Sequence, residues 1–365
     1  MKISPNRTNK REQKKTRGQF YTTHADYILD GLTLSLPETA RKIVEPFAGK
    51  GDLIEWVRKN GDGILPIEAY DIEPKHEEVI QRDTFAEPPD YTEAWVITNP
   101  PYLARNKSAE KHIYDKYDTN DLYKCFLMEL AQQKGCVGGI CIIPAGFFFS
   151  PRDLDVRCRN AWMSQYRILR VKYFEETVFE DTPTTIVSVQ FERATQPLEE
   201  QWVEWEMMPS KTLRTFHMSA KYGWIIGGEI YHLPISGEPI HIRRTVEGQP
   251  LKPNEQQTHI TLEAVDSGRA DGRIRVYYMR DYVYPAKECS RSFATFRITG
   301  RTLSEEDQKR LCEEFNAFLE EKRAEYWSLF LPQFRESKEY ARKRIPFELA
   351  YRIIVYLLTR PAGSA

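Results

Sequence analysis

Between residues 42 and 191 the apolar positions come in short runs, separated by longer stretches of helical spacing. The runs predict strands over 43–44, 67–70, 95–98, 136–143, 168–173 and 186–191. Helices are predicted over 52–60 and 121–134. Pro151-Arg152-Asp153 reads as another helix start, because proline suits a first turn and an acid favours the N-terminus. Strands alternating with helices predict an α/β fold on a parallel sheet.

After about residue 200 this rhythm stops. Runs over 259–265 and 273–279 read as strands joined through the turn-rich stretch from Asp266-Ser267-Gly268 to Asp271-Gly272. A long helix is predicted over 304–327, with Ser304 as its cap, Glu305, Glu306 and Asp307 in its first turn, and Leu311, Phe315, Phe318 and Leu319 on one face. A last amphipathic segment covers 347–358. The expected organisation is an arm over 1–17, an α/β domain over 18–200 and an α+β domain over 201–365.

Composition narrows the setting. At 365 residues, 41% hydrophobic and 29% charged, with no run of 18 apolar residues, the chain reads as an intracellular globular protein with no membrane partner. Cys125, Cys136, Cys141, Cys158, Cys289 and Cys312 form no Cys-x-x-Cys pair, so no metal is expected. The net charge is −1, yet Lys2, Arg7, Lys10, Arg11, Lys14, Lys15 and Arg17 face only Glu12 within the arm. Such a segment tracks phosphates or is simply a solvated tail.

The most specific chemistry follows the strand at 95–98, in Asn99-Pro100-Pro101-Tyr102. The Asn99 side-chain oxygen and the Pro100 carbonyl are two acceptors that draw electron density onto a conjugated or amide nitrogen, while Tyr102 can stack on a base. The same four residues also suit a rigid turn. Upstream, Ile43-Val44-Glu45-Pro46-Phe47-Ala48-Gly49-Lys50-Gly51-Asp52 reads as strand, glycine turn and helix start. Asp71 follows the next predicted strand, where a carboxylate accepts both hydroxyls of a ribose. Glu45 would repel a pyrophosphate, and no Gly-Lys-Ser/Thr is present. A cationic or zwitterionic nucleoside fits better, and S-adenosyl-L-methionine has those properties.

In this order the motifs resemble the gamma class of amino-methylating DNA methyltransferases, the TaqI-like adenine-N6 enzymes, over most of residues 17–195. The resemblance implies a Rossmann-like S-adenosylmethionine-dependent sheet flanked by helices, followed by a target-recognition domain. It implies that Arg17-Gly18-Gln19-Phe20-Tyr21-Thr22 contacts the methionine end of the cofactor, with Tyr21 and Thr22 as its binding residues. Glu45, Phe47, Gly49 and Gly51 correspond to the cofactor loop, Asp71 with Ile72 to the ribose site, and Asp83 to the partner of the cofactor's adenine amine. Phe126, in the segment that begins Asp121-Leu122-Tyr123, matches an apolar wall of the adenine pocket. Asn99, Pro100 and Tyr102 match the catalytic motif, and Phe179 matches an aromatic that packs on the flipped base opposite Tyr102.

The family's reaction is direct methyl transfer from S-adenosylmethionine to N6 of an adenine extruded from the duplex, without a metal. Cytosine C5 enzymes are excluded by the lack of any Pro-Cys nucleophile, and cytosine N4 enzymes usually carry serine or aspartate before Pro-Pro. Double-stranded DNA with a short specific site is the expected partner, and CATG the expected site. The chain is expected to be monomeric, with any cognate restriction endonuclease acting separately. Candidate DNA-reading residues are Arg243, Arg244, Arg269, Arg273, Arg275, Arg280 and Arg291, near Tyr277, Tyr278, Tyr282 and Tyr284, with Arg342-Lys343-Arg344 on phosphate. Each arginine also reads as an ordinary surface cation. The rival functions are a protein glutamine-N5 methyltransferase, an RNA adenine-N6 methyltransferase and a non-catalytic DNA-binding subunit.

Overall fold

The computed structural model describes residues 22, 24–34, 36–61, 65–179, 184–267, 273–284, 287, 290–333 and 341–360. The basic arm, Tyr21, Arg269 and the turn at 268–272 lie outside the described residues. The chain divides into two compact units, with the boundary between Trp224 and Ile225.

The first unit is built on a mixed, mostly parallel sheet with flanking helices. Its strands are β1 (Lys42–Glu45), β2 (Ile67–Asp71), β3 (Ile80–Gln81), β4 (Ala94–Thr98), β5 (Gly138–Pro144), β6 (Tyr166–Phe174), β7 (Ile186–Arg193), β8 (Glu200–Met208) and β9 (Thr212–Ser219). They lie in the order β3-β2-β1-β4-β5-β7-β6-β8-β9. From β3 to β5 every pairing is parallel. The central strands β4 and β5 are almost continuously apolar, as a sheet covered on both faces requires, and all five residues of β4 are buried.

The main helices are α1 (Asp52–Asn60), α2 (His112–Tyr117), α3 (Leu122–Gln133) and α4 (Asp153–Met163). Gly51 takes φ 86° as the N-cap of α1, a left-handed conformation that glycine adopts without a Cβ penalty. A Cβ there would also lie 3.0 Å from the His76 ring. α4 begins at Asp153 after an extended Arg152, so Pro151 precedes the helix instead of opening it. Asp153 and Asp155 supply the acidic first turn.

Two expectations are corrected here. The sheet is not parallel throughout, because β7 inserts between β5 and β6 and runs antiparallel to both. An antiparallel neighbour needs no crossover helix, and the apolar rhythm alone does not set strand direction. The first unit also does not end near residue 200. β8 pairs parallel with β6, and β9 pairs antiparallel with β8, so this hairpin extends the first sheet.

The second unit has a four-stranded antiparallel sheet of β10 (His241–Arg244), β11 (Glu255–Glu263), β12 (Arg275–Tyr278) and β13 (Phe293–Thr299), in the order β10-β13-β11-β12. Two helices complete it, α5 (Glu305–Tyr326) and α6 (Phe347–Thr359). Ser304 Oγ accepts from Asp307 N and Asp307 Oδ2 accepts from Ser304 N, a reciprocal cap at the start of α5. Leu311, Phe315 and Leu319 of α5 bury against the same core as Leu262, Phe296 and Ile353. Among the described residues, no helix is long and apolar enough to cross a membrane.

Candidate cofactor and amine site

Three acidic or amide side chains converge at the carboxyl ends of neighbouring parallel strands. Glu45 closes β1, Asp71 closes β2, and Asn99 follows Thr98, the last residue of β4. The chain steps from β1 to β2 and β3 on one side, then returns to place β4 on the other. This change of direction opens a crevice at the strand ends, where open α/β sheets bind ligands.

Asp71 is largely buried and braces the two turns beside it. Its Oδ2 accepts from Gly49 N at 2.9 Å, and its Oδ1 accepts from Glu73 N at 2.7 Å. Gly49 takes φ 53°, which bends the turn after β1 over the strand end. Asp83 Oδ1 accepts from Phe85 N and Ala86 N, forming a compact turn after β3.

Glu45 is wholly buried. Its Oε1 accepts from the Thr98 hydroxyl at 2.7 Å and from Phe47 N at 3.1 Å, which links β1 directly to β4. Its Oε2 has no hydrogen-bond partner. Burial pushes the carboxyl up to about 8, with the Asp71 charge acting in the same sense and the Thr98 and Phe47 donors opposing it. A buried acceptor without a donor costs about 1–3 kcal/mol, more if charged. Glu45 therefore suits a cationic ligand group.

A cavity of about 420 Å³ is lined by Phe47, Gly49, Asp71, Ile72, Asp83 and Asn99 together with Arg82, Thr84, Phe85, Leu103, Ile113 and Leu122. Six expected residues thus share one wall. Phe126 does not. It is buried behind Phe47, with ring centroids 5.5 Å apart, and also packs on Tyr91. Leu122, one turn nearer the start of α3, takes the lining position expected of Phe126. Phe85 is a second aromatic wall that sequence reasoning missed, its ring 5.2 Å from that of Phe47. Its signal was the Asp83 turn that delivers it.

Around the tetrapeptide the hydrogen bonds are internal. Asn99 is 8% exposed and donates from Nδ2 to Thr22 Oγ1 at 3.1 Å. The Tyr102 hydroxyl lies 2.6 Å from Asn99 Oδ1 and 2.8 Å from the Ile142 carbonyl, its one proton within reach of either acceptor. The Tyr102 ring is 9% exposed and meets Tyr123 edge-on. Burial raises its phenol well above the usual range, so the hydroxyl remains a donor at neutral pH. Tyr102 is therefore packed inward, not laid open as a platform. Phe179, also buried, lines a separate cavity with His24, Tyr27, Glu176, Thr177 and Val178. The two aromatics expected to flank one base do not share a described cavity.

In the second unit the six arginines divide by environment. Arg243 forms a bidentate pair with Glu255, both contacts at 2.6 Å, and also donates to Gln249 and the Pro250 carbonyl. Arg244 donates to the Ser290 carbonyl and lies over the Phe347 ring. Arg275 pairs with Glu263 at 3.3 Å, and Arg273 lends its charge to the Asp266 site. Arg280 is mostly exposed, 3.8 Å from Glu305, and Arg291 is exposed. Arg243 and Arg244 lie on β10 and Arg275 on β12, the opposite edge strands of the sheet. They do not make one stripe. Among the described residues, no group of three or more His, Cys, Asp or Glu side chains is placed to hold a metal.

No protein-family model matches the sequence, and no curated protein matches it. Among solved structures, the chain is similar to a modification subunit of a putative type I restriction enzyme from Vibrio vulnificus YJ016. That match has 15% identity and a TM-score of 0.38, over 57% of this chain and 51% of that one. It is also similar to the type IIG restriction endonuclease BpuSI, at 15% identity and TM-score 0.39, over 60% of this chain and 35% of that one. A third is a putative class I S-adenosylmethionine-dependent methyltransferase from Listeria monocytogenes, at 12% identity and TM-score 0.36, over 49% and 61% of the two chains. This chain thus spans about half or less of the first two and under two thirds of the third.

Proposed function

We propose that this chain is an S-adenosylmethionine-dependent methyltransferase that modifies N6 of adenine in double-stranded DNA at a specific site. The observation that carries the reading is the single cavity with both Asp71 and Asn99 in its wall. A ribose held at Asp71 and an amine held at Asn99 would then share one cavity. Its volume falls within the roughly 300–1,000 Å³ usual for small-molecule sites.

The residues fit the cofactor. Each Asp71 oxygen already accepts one backbone N–H, and a carboxylate oxygen can accept more than one bond, so ribose hydroxyls can be added. Glu45, wholly buried and outside the cavity wall, would favour an ammonium or sulfonium charge from behind it. Phe47, Phe85, Ile72 and Leu122 offer apolar walls for an adenine, with Asp83 at the rim for its amine. Bound there, S-adenosylmethionine would supply an electrophilic methyl group.

The protein's own work is placement. Asn99 Oδ1 and the Pro100 carbonyl accept from the target amine and stabilise the positive charge that grows on it. Alignment of the reactants at near-contact distance accounts for roughly 7–11 kcal/mol of barrier lowering. Extrusion of the adenine costs on the order of a few kcal/mol, and Tyr102, packed inward, and Phe179, in a separate cavity, offer no shared stacking slot to offset it in this structure. The second unit supplies the address, with Arg280 and Arg291 as its more exposed candidates. Modification within a restriction system, or by an orphan methylase, is the setting this reading implies.

The test is methyl transfer itself. Purified full-length chain, labelled S-adenosylmethionine and unmethylated bacterial DNA should yield labelled N6-methyladenine, and long-read sequencing of DNA from expressing cells should place it at one short motif. Asn99→Ala should lower turnover by about 10²–10³-fold while cofactor binding survives. Robust turnover by that variant, or label on cytosine, RNA or protein only, would falsify the assignment.

A further inference from the structure

The Asn99 amide meets a hydroxyl group at each end, one from the distant Thr22 and one from Tyr102 in its own tetrapeptide. Thr22 lies 77 positions upstream and is 3% exposed, and its Oγ1 receives Asn99 Nδ2. At the opposite end the Tyr102 hydroxyl lies 2.6 Å from Oδ1, where its one proton can be donated, with the Ile142 carbonyl of β5 as the competing acceptor at 2.8 Å. We infer that Thr22 and the Tyr102 hydroxyl are positioning residues that fix the plane of the Asn99 amide for the target amine. This rests on the reading of Asn99 as the amine's acceptor.

The physical reason lies in the Asn side chain. Rotation about its last torsion is broad and only weakly restricted by the chain's own sterics, so neighbours must define the amide plane. A donor approaching an sp² oxygen prefers that plane. Two contacts on opposite ends of one planar group stop its rotation, where a single contact would leave a hinge. The amine would then meet Oδ1 at a set angle, beside the bond from Tyr102, since an amide oxygen accepts two hydrogen bonds. The inference gives Tyr102 work through its hydroxyl, distinct from stacking through its ring. It also gives Thr22 a role toward the target amine in addition to the cofactor contact expected from its motif.

The test uses full-length protein with labelled S-adenosylmethionine and unmethylated bacterial DNA. Thr22→Val keeps the shape and removes the hydroxyl, and should lower kcat roughly tenfold, the scale of one hydrogen bond, whatever smaller change its cofactor contact brings to KM for S-adenosylmethionine. Thr22→Ser restores the hydroxyl and should restore kcat. Tyr102→Phe keeps the ring and should lower kcat similarly, whereas a purely stacking tyrosine would tolerate it. Because both hydroxyls act on one amide, the double variant should lose little more than either single variant.

A Thr22→Val enzyme with full kcat, or one altered only in KM for S-adenosylmethionine, overturns the inference. So does a double variant whose losses multiply. Crystal structures of Thr22→Val and Tyr102→Phe give a readout free of activity, in which a rotated or split Asn99 amide supports the clamp and an unchanged amide overturns it. If Asn99→Ala itself turns over normally, the amine-acceptor reading has failed, and the amide geometry in those structures still judges the clamp.

Discussion

The backbone N–H of Gly49 donates to Asp71 Oδ2 at 2.9 Å, which joins the turn after β1 to the end of β2. One carboxylate thus shapes the loop of one strand while presenting itself to the cavity from another. Both functions depend on the same oxygens.

Asp71→Ala should therefore impair ligand binding and loop order together. Losing hydrogen bonds to a charged acceptor costs about 1.5–3 kcal/mol each, so S-adenosylmethionine affinity should fall by roughly 10–100-fold. Titration calorimetry reads the affinity, and amide exchange at Gly49 reads the loop. Unchanged affinity would remove Asp71 from the ribose site.

Glu45 makes a pH prediction with a definite sign. Burial raises its carboxyl from the usual 4.5 to about 8, so the folded chain holds a proton there that the unfolded chain has released. Stability from this group is complete below pH 4.5, declines as pH rises through the folded value near 8, and is level beyond it. The change is on the order of a few kcal/mol. Calorimetric melting of the ligand-free protein between pH 5 and 9 should show the decline, and Glu45→Gln should flatten it. The variant should also bind S-adenosylmethionine more weakly, because the carboxyl can release its proton when a cation arrives and the amide has no charge to offer. A wild-type profile as flat as that of the variant would contradict the burial argument.

The arginines of the second unit should separate into two kinds. Arg243 is engaged by Glu255, whose side chain is 2% exposed, so Arg243→Ala should cost on the order of 2 kcal/mol and lower the melting temperature by several degrees. Arg280→Ala and Arg291→Ala should leave melting unchanged. If they touch phosphate, each should reduce the salt dependence of DNA binding by about one counterion. Filter binding across a salt series distinguishes the two kinds. A thermally silent Arg243→Ala with altered base preference would reverse the assignment.

Much of the fold was readable because the signals were local. α1 and α5 follow their predicted spans closely, since a glycine turn opens the first and a serine with an acid three residues on opens the second. Strand direction was not readable. The apolar run of β7 looks the same whether its neighbour is parallel or antiparallel, and only the hydrogen-bond ladder distinguishes them. The sequence predicts a new domain at the hairpin of β8 and β9 because its alternating runs break the apolar βα rhythm, whereas pairing with β6 joins it to the first sheet with β9 at the edge.

The cavity wall was legible where a motif ends a strand, at Asp71 and Asn99. It was not legible where position along a helix decides, since Leu122 and Phe126 lie on one face of α3 and only Leu122 reaches the cavity. Pairings between distant segments were also hidden. Arg243 offered no sequence sign that Glu255 already claimed it, and nothing in the spacing announced that Thr22 meets Asn99.

The meeting of Thr22 with Asn99 also concerns when an entropy cost is met. An amide free to rotate must be immobilised anew each time a reaction partner arrives. Here the folding of the chain freezes that rotor once, before any partner arrives. What is lost from the conformational freedom of one side chain is absorbed into the stability of the whole protein, and each encounter then begins with the acceptor already aimed.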